Sequence, residues 1–537
     1  MARSQPYTVA CNGGLVKSVN SIDLLKTPGV AKTLQNFEVA TEGGYRRING
    51  YTKYKVGTVT ATQPTGGTTT ILGVFPYADG VVVCAGTDIF FSNDGATWLQ
   101  INKLSANSGD NYTTFTGKAV TARTGQGQCS FALFEGATFD YGELNIADGA
   151  NVVFSFRMEG SGNLNTRTFY TSLVDVTGSG EAVKYVTVHD HHLIAAGVED
   201  NLNTLYYSSK NTFSSFPSTN AISISDQIVG IKGFREDLFI FCENSIHKLV
   251  NINSGINDNP PIAILPVAEN VGCLSGYSIQ EIGGDLVFLA PDGIRTVAGT
   301  ARIGDVELGT VSKPIQPLMI NLARNIDDFI ISSLVIREKS QYRLFYTNIG
   351  VPNTGQKGII GTLRPTGFEW SETLGLEVTS INSNFDNEGI ETYYHGDTNG
   401  YVYTHDTGDD FDGANVDAKY QTPDYDYGDL GTLKTLHYIK ISIAPEGDIT
   451  PTLRIRYDYD SIDLPQPPDY NLTVDAPSLF GSATFGSSIF GAGEQPLVRV
   501  ALQGSGHSNS FRISTNDKKP PYIINGFYID FIPSGRR

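Results

Sequence analysis

The chain has 537 residues, of which 11% are aromatic and 18% charged, with 58 glycines but only three methionines and two tryptophans. This composition favours strands joined by short turns over long helices and predicts an all-β protein of two or more domains. The formal net charge of −18 argues against a protein that holds nucleic acid through phosphate contacts, since those depend on lysine and arginine, and solubility is its simplest explanation.

The opening residues, MARSQPYTVACNGG, lack the apolar core of a signal peptide, and no apolar stretch in the chain approaches the ~18 residues of a membrane span. No Cys-x-x-Cys pair occurs, and two of the cysteines lie within apolar runs. We therefore expect a protein made in a reducing compartment, without a membrane span, a disulfide framework or a zinc site. The cysteines are Cys11, Cys84, Cys129, Cys242 and Cys273.

A unit of strand, tight turn and strand recurs through the middle of the chain. Its turns contain Gly, Asn or Asp, which tolerate the positive φ of tight hairpins. The units recur every ~40–60 residues, the spacing of propeller blades, and their apolar runs suit strands covered on both faces. The pattern predicts a β-propeller of about six irregular blades over residues 51–410. The clearest copies are residues 79–95, 191–209, 237–250 and 285–298, with looser copies at 342–363 and 391–406.

The stretch FFSNDGATW, residues 90–98, resembles the Asp-box of sialidases and other glycan-processing propellers. It is one residue shorter than a full Asp-box and occurs once. Even a complete Asp-box is mainly a turn that stabilises the fold, remote from the chemistry of those enzymes. The stretch therefore predicts a hairpin turn.

Two segments depart from the hairpin pattern. A β-rich stretch near residues 105–170 either completes a blade or protrudes as an insertion, and the sequence leaves both possibilities open. Residues 312–333 predict a connecting helix, because Ser312 can cap it and Pro314 suits its first turn.

Beyond residue 410 the pattern changes to short strands with frequent turns, such as those in residues 436–461. Residues 411–537 are therefore expected to form a C-terminal β-sandwich. Within them, LFGSATFGSSIFGAG at 479–493 repeats Phe-Gly every five residues. A glycine-hinged loop is the favoured interpretation of that stretch, with a surface that packs on a neighbouring subunit as the alternative.

No group of residues predicts a catalytic, cofactor or metal site. The histidines of HDHH, at positions 189, 191 and 192, are the densest set of possible metal ligands, but solvated histidines at a blade edge explain them more simply. The acidic run at 404–413, which contains Asp406, Asp409, Asp410 and Asp412, lacks the spacing of an EF-hand and predicts a solvated turn. Ser505, His507 and Ser508 are too close in sequence to converge as a triad.

Several stretches resemble the tail nozzle proteins of short-tailed bacteriophages, also called tail hub, tail tubular or packaged-DNA stabilisation proteins. The opening of that family has an extended segment, an Asn-Phe step, Gly-Gly-x-x-Arg and a Gly-Tyr before the first blade. Residues 271–299 resemble its most recognisable blade. The similarity covers nearly the full length of the chain and has no single diagnostic motif. The matching positions are Asn36, Phe37, Gly43, Gly44, Arg46, Gly50, Tyr51, Asp292 and Gly293, and Arg47, next to Arg46, also fits the Gly-Gly-x-x-Arg pattern.

The resemblance implies a non-enzymatic virion protein, assembled in the host cytoplasm, that forms a tail ring of six copies below the portal and adaptor. Its lumen would continue the channel for double-stranded DNA, retain the packaged genome and conduct it during ejection. Tail fibre or needle proteins would be further partners. Residues 1–50 would form an extended segment that leads into the first blade. The alternatives are a propeller that binds or cleaves host glycans and a cellular propeller scaffold.

Overall fold

The structure, a computed structural model, describes residues 4–103, 115–116, 127–136, 140–162, 164, 167–254, 260–298, 310–348, 356–386, 389–463, 465–474 and 497–536. Strands make up 53% of it and helices 6%, so the prediction of an all-β fold is confirmed. The strands form a β-propeller and a C-terminal β-sandwich, as predicted. The Phe-Gly stretch at 479–493 lies outside the described residues.

The N-terminal segment supplies strands to both parts of the molecule. One strand joins a propeller blade, while the other four belong to the two layers of the sandwich. The segment has a 3₁₀ turn at Asp23–Lys26 and the strands β1 (Gln5–Ala10), β2 (Thr33–Gln35), β3 (Phe37–Val39), β4 (Tyr45–Arg47) and β5 (Tyr51–Lys53).

The first four blades of the propeller follow in chain order, each a sheet of four or five strands. Their strands are β6 (Ile71–Tyr77), β7 (Gly80–Ala85), β8 (Asp88–Ser92) and β9 (Leu99–Gln100), followed by a 3₁₀ turn (Ile101–Lys103); β10 (Phe115–Thr116), β11 (Ser130–Phe134), β12 (Glu143–Ala147), β13 (Val153–Glu159) and β14 (Thr168–Val174); β15 (Val183–His189), β16 (His192–Val198), β17 (Thr204–Tyr207) and β18 (Ala221–Ser223); and β19 (Ile228–Phe234), β20 (Asp237–Cys242), β21 (Ser245–Val250) and β22 (Ala263–Glu269).

A shorter sheet of three strands then precedes two further blades of four strands, so the described residues contain six full blades and one short sheet. The strands of this half are β23 (Gln280–Ile282), β24 (Asp285–Ala290) and β25 (Gly293–Thr296), preceded by a 3₁₀ turn (Gly276–Ser278); β26 (Phe329–Ile336), β27 (Gln341–Asn348), β28 (Gln356–Arg364) and β29 (Gly367–Leu374); and β30 (Ser380–Phe385), β31 (Glu391–Gly396) and β32 (Val402–His405). The last blade takes β5 as its fourth strand and packs on β6 of the first blade, which closes the ring.

The predicted hairpins are confirmed. Each is a pair of adjacent strands within a sheet, namely β7–β8, β16–β17, β20–β21, β24–β25, β27–β28 and β31–β32. Every residue of β7 and β16 is buried, because blades are covered on both faces. The β-rich segment near 105–170 contributes β10 to β13 and the beginning of β14 to a five-stranded sheet that packs on the next blade, so its described strands form a blade.

The predicted connecting helix is present but shorter than expected. Helix α1 spans Gln316–Arg324, between 3₁₀ turns at Lys313–Ile315 and Ile326–Asp328, and β26 begins at Phe329. Ser312 does not cap the helix; its Oγ instead accepts a hydrogen bond of 2.8 Å from the backbone N–H of Ile294. The side chain thus ties the connector to the three-stranded sheet, a partner that a local sequence pattern does not reveal.

The C-terminal region forms a sandwich of two layers. One layer has the order β3-β4-β40-β34-β37, with β1 paired to β40 and β38 to β34; the other has the order β2-β33-β39-β35-β36. Aromatic rings fill the space between the layers, as where Phe527 stacks on Tyr420 and Phe511. The predicted strands around residues 436–461 exist, but they lie in opposite layers. The strands are β33 (Val416–Gln421), β34 (Thr432–Pro445), β35 (Thr452–Tyr457), β36 (Tyr470–Asn471), β37 (Leu497–Ala501), β38 (Ser505–Gly506), β39 (Asn509–Asp517) and β40 (Tyr522–Arg536).

The propeller and the sandwich share one sheet. Strands β26 to β29 of a blade continue through β2 into β33, β39, β35 and β36, which gives a sheet of nine strands. The short strand β2 makes the connection, since Gln35 pairs with Glu372 of β29 on one side and with Lys419 of β33 on the other. The sheet runs across the predicted boundary between residues 410 and 411 and joins the two parts through β2.

Candidate functional site

Seven of the nine positions that resemble the phage family lie where the propeller meets the sandwich, in the stretch from β2 to β5. The other two, Asp292 and Gly293, form the turn between β24 and β25 in the three-stranded sheet. We call the meeting place the junction. The seven are Asn36, Phe37, Gly43, Gly44, Arg46, Gly50 and Tyr51.

Asn36 connects a blade to the sandwich through its side chain. Its amide Nδ2 donates to the backbone oxygens of Leu374 at 3.0 Å and Asp417 at 2.9 Å, and its Oδ1 accepts from the N–H of Leu374 at 2.9 Å. The backbone of Asn36 has a φ of 54°, a left-handed conformation that asparagine tolerates better than most residues. The position needs both a donor and an acceptor, together with this backbone freedom.

Asn36→Asp is expected to lower the free energy of unfolding by about 3 kcal/mol, because a buried carboxylate would replace the donor that faces two carbonyl oxygens. Asn415→Asp is the matched control, since the exposed amide of Asn415 donates to one carbonyl oxygen, that of Asn516. Denaturant unfolding of the two variants measures the difference. Equal destabilisation would contradict the role of Asn36 as a connector.

Left-handed backbone conformation explains Gly43, and close packing contributes at Gly44, Gly50 and Phe37. Gly43 and Gly44 turn the chain between β3 and β4 with φ values of 106° and 86°. A Cβ on Gly50 would lie 1.7 Å from the backbone oxygen of Asp410, so only glycine fits there. The buried ring of Phe37 lies edge-on to the ring of Tyr522, with 5.8 Å between centroids.

Five charged side chains, which we call the junction cluster, form a network of ion pairs beneath these turns. Two carboxylates face three cations, and the five residues come from the N-terminal segment and two blades. The members are Glu38, Arg46, Lys339, Arg343 and Asp406. The distances are 2.9 Å for Arg343–Glu38, 3.1 Å for Arg343–Asp406, 2.7 Å for Lys339–Asp406, 3.1 Å for Lys339–Glu38 and 2.9 Å for Arg46–Glu38.

The centre of the junction cluster is shielded from water. The side chains of Glu38, Arg343 and Asp406 are 2%, 3% and 6% exposed. Burial alone would raise the pKa of Asp406, but Arg343 and Lys339 hold it below its usual range. The prediction of a solvated turn is therefore wrong for Asp406, although it holds for Asp409, which is exposed. A cavity of about 350 Å³, lined in part by Glu38 and Lys339, lies beside the cluster.

Two buried histidines extend the junction cluster into the last blade. Nη1 of Arg343 lies 3.1 Å from Nε2 of His405, and Nδ1 of His405 lies 3.3 Å from Nδ1 of His395. Because arginine can only donate, Nε2 of His405 accepts and its proton is on Nδ1. That N–H donates to Nδ1 of His395, which therefore carries its own proton on Nε2. The chain of donors requires both imidazoles to be neutral.

Burial, like the hydrogen bonds, favours the neutral form of both imidazoles. It lowers the pKa of His395 to about 3, and together with the nearby His395 and Arg343 it lowers the pKa of His405 well below its usual value. Nε2 of His395 has no hydrogen-bond partner among the described residues. The edge-on ring of Tyr51, 4.9 Å away between centroids, covers this histidine.

Tyr51 closes the junction from the N-terminal side. Its ring stacks on Phe411 at 5.2 Å and lies edge-on to Tyr403 at 5.0 Å. Its backbone belongs to β5, where it is the cross-strand partner of His405. The strand that completes the last blade therefore also seals the histidine pair from solvent.

Asp292 and Gly293 form a second, separate structural site. The carboxylate of Asp292 accepts from Nε and Nη2 of Arg295 at 2.9 and 2.6 Å and from the hydroxyl of Thr310 at 2.8 Å. Gly293 has a φ of 139°, and a Cβ there would lie 2.5 Å from Oγ of Ser312. These contacts fix the turn to the connector that leads to α1.

The HDHH residues form the tight turn between β15 and β16, with a histidine at the end of each strand. His189 and His192 are cross-strand partners, and Asp190 and His191 are the two turn residues with positive φ. The interpretation of solvated histidines is correct for His191 and wrong for His189 and His192, which are buried. The nitrogens of His192 contact the oxygens Ser208 O at 2.6 Å and Asn253 Oδ1 at 3.2 Å. Within the described ranges, no group of three potential ligands could hold a metal ion.

The Asp-box-like stretch is a hydrogen-bonded turn, as predicted. Oγ of Ser92 accepts from the N–H of Gly95 at 2.9 Å, and Oδ1 of Asp94 accepts from the N–H groups of Ala96 and Thr97 at 2.8 and 2.7 Å. The side-chain oxygens of Ser92 and Asp94 therefore accept hydrogen bonds from within the turn. Burial raises the pKa of Cys11, Cys242 and Cys273 to about 12, so these three thiols are poor nucleophiles at neutral pH.

A cavity of about 360 Å³ is lined by residues at the beginnings of β15, β19 and β26. Tyr277, another lining residue, donates from its hydroxyl to the backbone oxygen of Gln128 at 2.5 Å, and Lys184 and Asp327 provide opposite charges on the wall. Among the described residues, no helix is long and apolar enough to cross a membrane.

The sequence indicates some members of the junction cluster but not which residues pair with them. Arg343 interrupts the apolar run YRLFY, and His395 and His405 lie at or next to the ends of the tyrosine-containing strands β31 and β32. A charge within a buried strand requires a partner, so such a position could be recognised as half of an ion pair. The partners Glu38 and Asp406 lie 305 and 63 positions away from Arg343, which no local pattern reveals.

Comparison with known proteins adds little to this description. No protein-family model matches the chain, and no curated protein matches it. Among solved structures, exo-β-1,3-galactanase Pc1,3Gal43A of Phanerochaete chrysosporium is similar with 9% identity, coverage of 90% of this chain and 100% of the other, and a TM-score of 0.25. The WD40 propeller domain of Doa1 is similar with 11% identity, coverage of 66% of this chain and 96% of the other, and a TM-score of 0.35. The WD40 domain of Neurospora crassa Pan2 is similar with 9% identity, coverage of 69% of this chain and 89% of the other, and a TM-score of 0.28. Similarities this low support no argument about function.

Proposed function

We propose that this chain is a structural virion protein that forms the tail nozzle of a short-tailed bacteriophage. In this proposal copies of the chain assemble into a ring below the portal and adaptor, and tail fibre or needle proteins attach to it. The lumen of the ring continues the DNA channel, retains the packaged genome and conducts it during ejection. The protein acts without catalysis, in the virion tail.

The observation that carries the proposal is the position of the residues behind the family resemblance. Asn36, Arg46, Gly50 and Tyr51 lie at the junction, where they hold the propeller and the sandwich as one body. A ring component that withstands the pressure of packaged DNA needs such a rigid connection. A glycan-processing propeller would instead concentrate its distinctive residues in an open cleft.

The acidic composition is compatible with a DNA conduit. Each copy has a formal charge of −18, and six copies in a ring would repel phosphate more strongly than one. A lumen that repels DNA lets it slide, whereas a basic lumen would retain it by counterion release. The placement of acidic side chains on the lumen wall is part of the proposal.

Light scattering and negative-stain imaging of the purified protein, alone and with adaptor-bearing tail assemblies, test the proposal. We expect rings of about 350 kDa, six times the 58.1 kDa of one chain, either in solution or on the adaptor. A 58.1 kDa monomer that ignores tail components would refute it. If that monomer bound or cleaved a host polysaccharide, the glycan-binding alternative would take its place.

A further inference from the structure

Four cationic side chains meet on the outer face of the sandwich, in the part of the nine-stranded sheet formed by β33, β39 and β35. They line a cavity of about 70 Å³ together with Gln421, Ser510, Tyr459 and the carboxylates of Asp424 and Asp460, and we call this the arginine pocket. The space exceeds the ~30 Å³ that one water occupies in the liquid and can hold a small ion. The four cations are Lys32, Arg454, Arg456 and Arg512.

The register of the strands brings the arginines together. Arg512 of β39 lies directly opposite Arg454 of β35 and, on its other side, opposite Gln421 of β33. Arg456 is two positions beyond Arg454 on the same face, opposite Ser510. Like charges directly opposite one another destabilise a sheet, so this arrangement needs anions to balance it.

Carboxylates balance three of the four cations. Arg454 pairs with Asp469 at 2.7 Å. Lys32 pairs with Asp424 at 3.0 Å, and Arg456 pairs with Asp460 at 3.2 Å. The pocket and its immediate partners therefore carry four positive and three negative charges.

The fourth cation, Arg512, has no carboxylate partner among the described residues. Its Nε and Nη2 both donate to the amide oxygen of Gln421, at 3.2 and 2.6 Å. Burial lowers the pKa of Arg512, and the charges of Arg454 and Arg456 lower it further. Its remaining N–H groups are available to an anion in the cavity.

We propose that the arginine pocket binds a phosphate-type oxyanion, held by Arg512 and supported by Arg454, Arg456 and Lys32. Guanidinium groups match the oxygens of phosphate with pairs of hydrogen bonds. A tetrahedral anion with one negative charge would balance the surplus cation, and its oxygens would use donors from several directions at once. A carboxylate has two oxygens in one plane and meets fewer of these donors. The proposal does not depend on the tail nozzle function.

Titration calorimetry of the full chain with inorganic phosphate tests the pocket, with sodium chloride holding the ionic strength constant. We expect phosphate to bind and Arg512→Met to weaken binding by about tenfold or more, the loss of a charge-assisted hydrogen-bonded pair. Arg499→Met is the matched control, because Arg499 is an exposed arginine of the sandwich that lies over the ring of Tyr438 and outside the pocket. It should leave the affinity unchanged.

A further variant and a competition measurement show whether Arg512 and phosphate chemistry account for the binding. Arg512→Lys retains the charge and is expected to bind phosphate more weakly than the wild type, which keeps the test usable if Arg512→Met fails to fold. Competition with short duplex DNA separates the two sources of the ligand: displacement of phosphate indicates a phosphodiester of DNA, and its absence indicates free phosphate. Absence of phosphate binding, acetate binding as tight as that of phosphate, or equal affinities of Arg512→Met and Arg499→Met would overturn the proposal.

Discussion

Arg343→Met is expected to lower the free energy of unfolding by about 3–5 kcal/mol, because it removes the more deeply buried of the two cations that Glu38 and Asp406 share, the other being Lys339. The guanidinium of Arg343 pairs with Glu38 at 2.9 Å and with Asp406 at 3.1 Å, where all three side chains are almost fully buried. It also donates to His405, so its loss leaves that imidazole without its donor. Denaturant unfolding monitored by tryptophan fluorescence and circular dichroism measures the effect.

The control for this variant is Arg337→Met. Arg337 also pairs with a carboxylate, that of Glu391, but its side chain is 57% exposed. Its loss should cost no more than about 1 kcal/mol, as for other exposed ion pairs. Comparable losses in the two variants would show that the junction cluster contributes no more than a surface pair.

A double variant separates the ion pair from the packing of the side chain. Adding Asp406→Asn to Arg343→Met removes one buried carboxylate together with the cation. The double variant should therefore be more stable than the sum of the two single effects predicts, by about 0.5–3 kcal/mol. Strict additivity would mean that Arg343 and Asp406 do not interact.

Acidification is expected to destabilise the protein before its carboxylates titrate. His395 has a pKa of about 3 in the folded protein, against an ordinary value of 6.5, so below pH 6.5 the unfolded chain binds a proton that the folded protein excludes. Stability is therefore complete above pH 6.5 and falls by about 1.4 kcal/mol for each pH unit below it, which gives a loss of about 2 kcal/mol at pH 5. His405, whose pKa is also lowered, adds to this loss.

His395→Asn tests the assignment of this acid sensitivity. The Oδ1 of asparagine can accept from Nδ1 of His405, as Nδ1 of His395 does, but it does not titrate. The variant should lose stability at neutral pH and show a shallower slope between pH 7.5 and pH 5 in thermal unfolding. His191→Asn, in an exposed turn with positive φ, should retain the wild-type slope. An unchanged slope in His395→Asn would place the acid sensitivity elsewhere.

The blades could be predicted from the sequence because their hairpins are local. In the turn between β15 and β16, Asp190 and His191 supply the positive φ, and the flanking apolar runs show where the strands lie. The sandwich strands were also recognisable, but their layers were not. Strands β34 and β35 are neighbours in sequence and lie in opposite sheets, a choice set by pairing with distant strands.

The junction was predicted less completely, since its contacts join parts of the chain that are far apart. The resemblance indicated Arg46 and Tyr51, whose partners Glu446 and His395 lie hundreds of residues away. Asp406 was assigned to a solvated turn because an acidic run contains no information about what covers it. The burial of that residue depends on Arg343 and Lys339, which come from another blade.

The pairing of β1 with β40 has a consequence for biosynthesis. Ser4 and Asp530, whose side chains are hydrogen-bonded, are 526 positions apart, and β40 is also the partner of β4 and β34. On the ribosome, β1 and β4 emerge long before β40, so the edges that pair with β40 have no partner while the blades fold. Contacts of such large sequence separation form slowly. We therefore expect the nascent chain to need a chaperone to shield these edges, and removal of β40 to leave a propeller whose N-terminal strands aggregate.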